Sequence, residues 1–282
     1  MMPTYFENFN AGKLKSYSEK TILAAFSDIA ALLQAEYNFP QGGCQQRAHI
    51  SSLILDKKFK IQHAKIWLFA AATTAPGNTT MLEIKDKNRF ALGNKIQWGY
   101  HVAPVVKIKK NNAAGLYVID PALNKSMPIK IEKWFNAIAN SKTGSFTYTA
   151  PTTYFFNCFK MDDGSLSSIF NGSFYDYDKS HRQNLELEKG IAVCSTAMHI
   201  FDNHIKKLSA TASRKKLEDL KAIFGNATAI DCVVAQNASA NTPNTTGRYV
   251  LNHYAEILNG AKAFFNEKLT YWTKYTSRLF KE

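Results

Sequence analysis

From Lys95 to Asp120 the chain reads KIQWGYHVAPVVKIKK, then NNAAG, then LYVID. Two runs rich in valine, isoleucine and aromatic residues around an Asn/Gly turn signal predict two strands joined by a tight turn, and so an antiparallel sheet. Alternation along the first strand puts Gly99, His101 and Ala103 on one face and Trp98, Tyr100 and Val102 on the other. The His101 imidazole then has small neighbours and room for a facing helix or a substrate. With the turn centred between Lys110 and Asn111, His101 falls directly opposite Asp120. Cross-strand partners have Cβ atoms about 4.5–5.5 Å apart, close enough for a carboxylate to hold an imidazole N–H. Pro121 ends the strand and leaves that carboxylate at its rim.

The rest of the chain supplies what covers the sheet. Ser16-Tyr17-Ser18-Glu19 has capping-box spacing, and Ile22, Phe26, Ile29, Leu33 and Tyr37 recur at helical intervals until Pro40. After the turn Pro40–Gly43 a second helix is expected over 44–57, then a strand at 65–70. Residues Thr73 to Arg89 read as a loop or lid. A short helix carries Ile131, Trp134, Phe135 and Ile138 on one side, and 152–160 reads as another strand.

Beyond about residue 180 the strand signals nearly stop. Leu187, Ile191, Cys194, Met198, Phe201, Ile205 and Leu208 form a heptad stripe. A short helix over 213–224, a Ser/Asn/Thr-rich loop over 235–246 and a long helix over 248–280 complete the chain. In the long helix Val250, Tyr254, Ile257, Ala261, Phe264, Tyr271 and Tyr275 keep nearly the same register. Two such helices bury their stripes most simply as an antiparallel hairpin. The expected organisation is therefore α+β, with a sheet-bearing domain over 1–178 and an α-helical domain over 179–282 that serves recognition or bracing.

A chain of 282 residues with 45% hydrophobic side chains has enough apolar material for real cores. The first twenty residues, with Glu7, Asn8, Asn10 and Lys13, lack the apolar core of a secretory signal, and no stretch is apolar enough to span a membrane. A soluble protein is expected. Cysteines 44, 158, 194 and 232 are scattered and read as reduced thiols. No CxxC, HxxxH or HExxH spacing occurs and the histidines are dispersed, so a structural zinc site is not expected. The net charge of +13 is spread along the chain in short clusters such as Lys57-Lys58-Phe59-Lys60. It favours solubility and attraction to acidic partners over specific nucleic-acid binding. Sequons such as Asn171-Gly172-Ser173 carry little meaning without a secretion signal.

Cys44 follows Gly42-Gly43 and opens a helix. The first turn of a helix favours a thiolate, because its backbone N–H groups and dipole point at the sulfur, and the glycines leave that sulfur uncrowded. Small buried cysteines are also common, so the position alone does not decide. His49 looks like the obvious base, yet at i+5 it sits roughly 140° around the helix from Cys44. Arg47 at i+3 shares the cysteine's face, where anchoring the helix through a carbonyl or carboxylate is the preferred reading over lending charge to the sulfur. The base must come from elsewhere, and His101 backed by Asp120 is the best candidate.

GGCQQRAH at 42–49, WGYHVAPVV at 98–106 and VIDPAL at 118–123, in that order, resemble the motifs of bacterial protein glutaminases, also called protein-glutamine deamidases. Trp134 in EKWFNAI is similar to a tryptophan that follows those motifs. The resemblance covers about residues 38–160 and implies a papain/transglutaminase-like fold with a Cys-His-Asp triad at Cys44, His101 and Asp120. It implies deamidation of protein-bound glutamine, without cofactor, and similar domains occur in bacterial effectors that modify host proteins. Unlike the secreted members, this chain has no expected disulfide and no signal. Synthesis in a bacterial cytoplasm, and delivery as an effector onto a specific target protein, are the corresponding expectations. Trp98, Tyr100 and Trp134 stand as candidate walls of a substrate channel, with burial in the core an equal alternative for Trp98 and Tyr100. The same triad would serve a transglutaminase or a peptidase, and a non-enzymatic helical binding module is the third alternative.

Overall fold

The computed structural model describes residues 2–5, 9–75, 77–89, 91–111, 113–157, 173–208, 214–224 and 253–281. Cys158, Cys232, Val250, the Asn171 sequon and the expected 235–246 loop lie outside them.

One curled sheet organises the chain. Its strands are β1 (Thr4–Tyr5), β2 (Ser16–Ser18), β3 (Ala64–Phe69), β6 (Tyr100–Lys110), β7 (Ala113–Val118), β8 (Ile129–Lys130) and β9 (Ser145–Thr149). The order is β1-β9-β3-β6-β7-β8, with β2 on the far end of β6. Pairing is antiparallel except for β1 with β9 and β2 with β6. Two small hairpins stand off this sheet, β4 (Leu82–Lys85) with β5 (Lys95–Trp98), and β10 (Thr153–Asn157) with β11 (Ser173–Asp176). β4 falls inside the stretch expected as a lid. Leu82 and Ile84 pair with Trp98 and Ile96, which gives that segment a ladder of its own.

Every residue of β3 is buried, because the sheet is covered on both faces. Ile66 and Leu68 join a cluster with Ala103, Val105, Trp134 and Phe135, the last two from helix α5 (Ile131–Ala137). Trp67 and Phe69 face the other way, toward Ala48 and Val102. On that side lie α1 (Glu19–Leu32), the short α2 (Gln34–Tyr37) and α3 (Cys44–Leu53). Ser18 caps α1 through a bond from the Thr21 N–H, and Ile22, Phe26 and Ile29 are buried as expected.

The expected hairpin is present with two differences. The chain bends at Gly99, whose carbonyl accepts from Ala70 N at 2.7 Å and Thr73 Oγ1 at 2.8 Å. β5 and β6 are therefore separate strands, and strict alternation does not carry across the bend. The turn also lies one residue later than expected. Lys110 faces Ala113 and Val105 faces Val118, because Asn111 takes up a left-handed conformation, φ 48°, which asparagine adopts at low cost. The change displaces pairing by two residues and so preserves which face each side chain occupies. Asp120 becomes a diagonal neighbour of His101.

The remaining helices are α4 (Ala71–Thr74), α6 (Lys179–Gln183), α7 (Glu186–Ile200), α8 (Arg214–Phe224) and α9 (Ala255–Leu279). α7 and α9 run antiparallel: Thr276 Oγ1 donates to Glu188 Oε1 at 2.5 Å near one end, and His199 stacks on Phe264 at 4.0 Å near the other. The stripe on α7 is buried at Leu187, Ile191, Cys194 and Met198. On α9 the buried face is Leu258, Ala261, Phe265, Trp272, Thr276 and Leu279, one position on from most of the expected residues, with Tyr271 46% exposed. Burying the larger indole of Trp272 and the Thr276–Glu188 bond sets that rotation. The two helices share one apolar cluster with α1 and α3. The change of secondary structure near residue 178 is thus no break in the core. Among the described residues, no helix is long and apolar enough to cross a membrane.

Candidate active site

The turn before α3 is held from three sides. Gly43 sits at φ 73°, and a Cβ there would lie 2.4 Å from the Cys194 sulfur on α7, so both conformation and space demand glycine. From below, Arg47 Nη1 donates to the carbonyls of Glu36 at 3.1 Å, Phe39 at 3.1 Å and Gly42 at 2.6 Å. Its side chain is 1% exposed and lies over the Tyr37 ring. Arg47 anchors the turn through carbonyls. From outside, Trp98 Nε1 donates to Pro40 O at 2.9 Å, Asn88 Nδ2 to Asn38 O at 2.6 Å and Gln41 Nε2 to Asp86 Oδ2 at 3.1 Å. Asp86 and Asn88 did not stand out in the sequence. Their one signal is the Asp-x-Asn spacing of an Asx turn, seen here as Asn88 N donating to Asp86 Oδ1 at 2.9 Å.

This turn delivers Cys44, half-buried, at the first position of α3. β7 leaves the sheet at Ile119, whose N–H makes a last bond to Pro104 O at 2.8 Å. The free edge of β6 beyond that point receives the helix, with the Val102 backbone N–H directed at the Cys44 sulfur.

His101 and Asp120 are each 2% exposed, and His101 Nε2 lies 2.8 Å from Asp120 Oδ2. The same carboxylate oxygen accepts from Trp134 Nε1 at 2.9 Å, while Oδ1 accepts from Ala122 N at 3.2 Å. With Nε2 committed to Asp120, Nδ1 has no nitrogen or oxygen partner and is the atom left for the Cys44 sulfur. The imidazole stacks on Trp98 at 4.4 Å and 9°, and lies nearly parallel to Trp134 at 5.7 Å. Both indoles offer π-density to an imidazolium.

Burial alone would discharge all three groups. At His101 burial is overcome by the Asp120 charge and hydrogen bond and by Cys44, which carry it up to about 9. At Cys44 the His101 hydrogen bond and charge, with Arg47 and the Val102 N–H, outweigh burial and lower the thiol below its ordinary value. At Asp120, His101 and the Trp134 N–H outweigh burial and keep the carboxyl ionised. The site is arranged as thiolate, imidazolium and carboxylate in series, a constellation able to attack a carbonyl carbon and protonate what leaves.

The candidate residues separate by position. Trp134 is fully buried behind His101 and Asp120, away from the cleft. Trp98 and Tyr100 line a cleft of about 560 Å³ in front of Cys44, with Gln41, Gly43 and Gln45. Trp98 is only 6% exposed, and the Tyr100 hydroxyl donates to Gln45 Oε1. His49 is turned away, buried against Tyr154 and Tyr177 with Nδ1 2.9 Å from Lys65 Nζ. Burial pushes Lys65 well below its ordinary value, and no pattern in the strand marks a lysine that points inward there.

Residues 21–138 match the model of a family described as glutaminase. No curated protein sequence gives a significant match. Among solved structures the chain is similar to the NMR structure of protein-glutaminase from Chryseobacterium proteolyticum, at 17% identity over 71% of this chain and 93% of that one, with a TM-score of 0.41. It is also similar to the crystal structure of pro-protein-glutaminase, at 21% identity over 65% of this chain and 62% of that one, with a TM-score of 0.40. The stretch from 21 to 138, which is similar to that glutaminase family, carries Cys44, His101, Asp120 and Trp134.

Proposed function

We propose that the chain is a cysteine hydrolase that converts protein-bound glutamine to glutamate and releases ammonia, with Cys44 as nucleophile, His101 as acid and base, and Asp120 as orienter. The observation that carries this is the series Cys44, His101 Nδ1, His101 Nε2, Asp120 Oδ2, in which each group's neighbours favour the protonation state the reaction needs.

The thiolate attacks the carboxamide carbon, and the Cys44 backbone N–H at the helix start faces the oxygen that takes up the charge. The imidazolium gives its proton to the nitrogen, the C–N bond breaks, and ammonia leaves a thioester. Neutral His101 then takes a proton from water, whose oxygen attacks the thioester. Collapse returns the thiolate and leaves the glutamate side chain, one water consumed for each ammonia released. Asp120 stabilises the imidazolium throughout without itself accepting the proton.

The protein substrate is read as a specific target, and the use of similar deamidase domains by bacterial effectors favours a host protein. Wild type and Cys44→Ala are incubated with a host-cell extract, and new glutamates are mapped by mass spectrometry. Conversion of particular glutamines by wild type alone is expected. Backbone cleavage, or lysine-crosslinked products in place of glutamate, would transfer the same triad to a peptidase or a transglutaminase.

A further inference from the structure

The side of α3 turned away from the nucleophile borders a separate cavity of about 550 Å³, which shares no lining residue with the Cys44 cleft. Its wall includes Ser52, near the end of α3, and His63, the residue before β3. They are 3% and 2% exposed. Ser52 Oγ and His63 Nε2 are both buried and make no hydrogen bond among the described residues. The state of His63 is set by its other nitrogen and by burial. Nδ1 donates to Ile61 O at 2.9 Å, and burial pushes the ring down to about 4. It is neutral at pH 7, and Nε2 is a lone-pair acceptor. His49, also on the wall, is kept neutral by burial and by the neighbouring Lys65. Most of the remaining wall is aromatic or aliphatic, from Phe9, Ile61, Pro151, Tyr177 and Phe280. Two charged side chains border the cavity, Asp56 and Arg182, both exposed and opposite in sign.

We propose that this cavity is a second binding site, for a small neutral molecule with an aromatic body and an N–H or O–H group that donates to His63 Nε2. A buried acceptor left without a partner is costly, and buried polar groups in native proteins are nearly always paired. A bound donor supplies the missing bond, and the Ser52 hydroxyl, which can donate or accept, serves a second polar group of the same molecule. The volume and the mostly apolar wall with a few placed polar groups are those of a small-molecule site. Its two histidines are neutral, so neither an anion nor a cation finds a counter-charge inside, and Asp56 and Arg182 offset each other at the border. No member of the Cys44, His101 and Asp120 series lines the cavity, so the proposal stands apart from the deamidase reading.

The probe is indole, a neutral planar ring whose one polar group is an N–H, and the comparator is N-methylindole, which lacks only that donor. Both are titrated by NMR into the full chain with its histidine ring nitrogens labelled. Indole is expected to bind with a Kd of about 1 mM or tighter and to move the His63 Nε2 resonance. N-methylindole should bind roughly tenfold more weakly or worse and leave that resonance in place. Indoleacetate and tryptamine, which add a charge of either sign, should also bind more weakly than indole. Ser52→Leu, which extends an apolar side chain into the cavity, should weaken indole by about tenfold or more. Equal affinity for indole and N-methylindole, or a His63 resonance unmoved by saturating indole, overturns the proposal. Both of these readings use the wild-type chain and do not depend on how the variant folds. Tighter binding of either charged analogue overturns the neutral ligand class, and undiminished indole binding by a folded Ser52→Leu overturns the location.

Discussion

Replacing Asp120 with asparagine removes a charge while keeping the size of the side chain, and its effect can be worked through to the sulfur. Burial lowers His101, and the carboxylate is the first influence that raises it, to about 9 against an ordinary 6.5. That rise corresponds to about 3 kcal/mol favouring the imidazolium. Asparagine leaves burial unopposed by a full charge, so His101 returns to the neutral form at pH 7. The Cys44 thiol then loses the two influences that do most to lower it, the hydrogen bond and the charge of His101. With the thiol back at its ordinary 9.0, about 1% is ionised at pH 7, a loss of up to roughly 100-fold in thiolate. Higher intrinsic nucleophilicity at higher pKa returns part of this, leaving a net fall of roughly tenfold. The assay is the rate of iodoacetamide alkylation of Cys44 from pH 5 to 10, read by mass spectrometry. Cys194 is the internal reference, because burial pushes its thiol up to about 12. The wild-type Cys44 profile should lie below that of an ordinary thiol, and the Asp120→Asn profile should move toward 9. Identical profiles in the two proteins, with circular dichroism unchanged, would refute the ion-pair argument.

Three further outcomes are expected. The kcat/KM profile for ammonia release should be bell-shaped: the imidazolium is lost as pH rises through about 9, and the thiolate is lost as pH falls through its lowered value. An alkaline limb near 6.5 would contradict the role of Asp120. Trp134→Phe keeps the ring beside His101 but frees the carboxylate oxygen that holds the imidazole, and should lower kcat by about tenfold at unchanged KM; a KM effect would place Trp134 at the substrate instead. Arg47→Met leaves two buried carbonyls and the part-buried Gly42 carbonyl without their donor and should cost about 3 kcal/mol or more in urea unfolding. A loss within experimental error would show that the turn before Cys44 does not depend on this anchor.

The sequence by itself determined much of the periodic structure and singled out the candidate groups of the site. Apolar spacing placed α1, the strands β3, β6 and β7 and the stripe on α7, because burying one face of a helix or strand leaves a period in the sequence. The alternation of β6 and β7 singled out His101 and Asp120, and helix geometry removed His49, since side-chain direction follows from backbone period alone. Tertiary structure decided what local pattern does not encode. The bend at Gly99 and the Asn111 turn set the true register, and a shift of two residues kept Asp120 on the histidine's face. The rotation of α9 was fixed by which aromatic ring fitted against α7, a matter of packing that the neighbouring, nearly equivalent Tyr271 and Trp272 left open. The clamps on the Cys44 turn, from Arg47, Asp86, Asn88 and Cys194, join residues up to about 150 positions apart through single contacts. Nothing repeats in such contacts, so only the folded chain could bring them to one place.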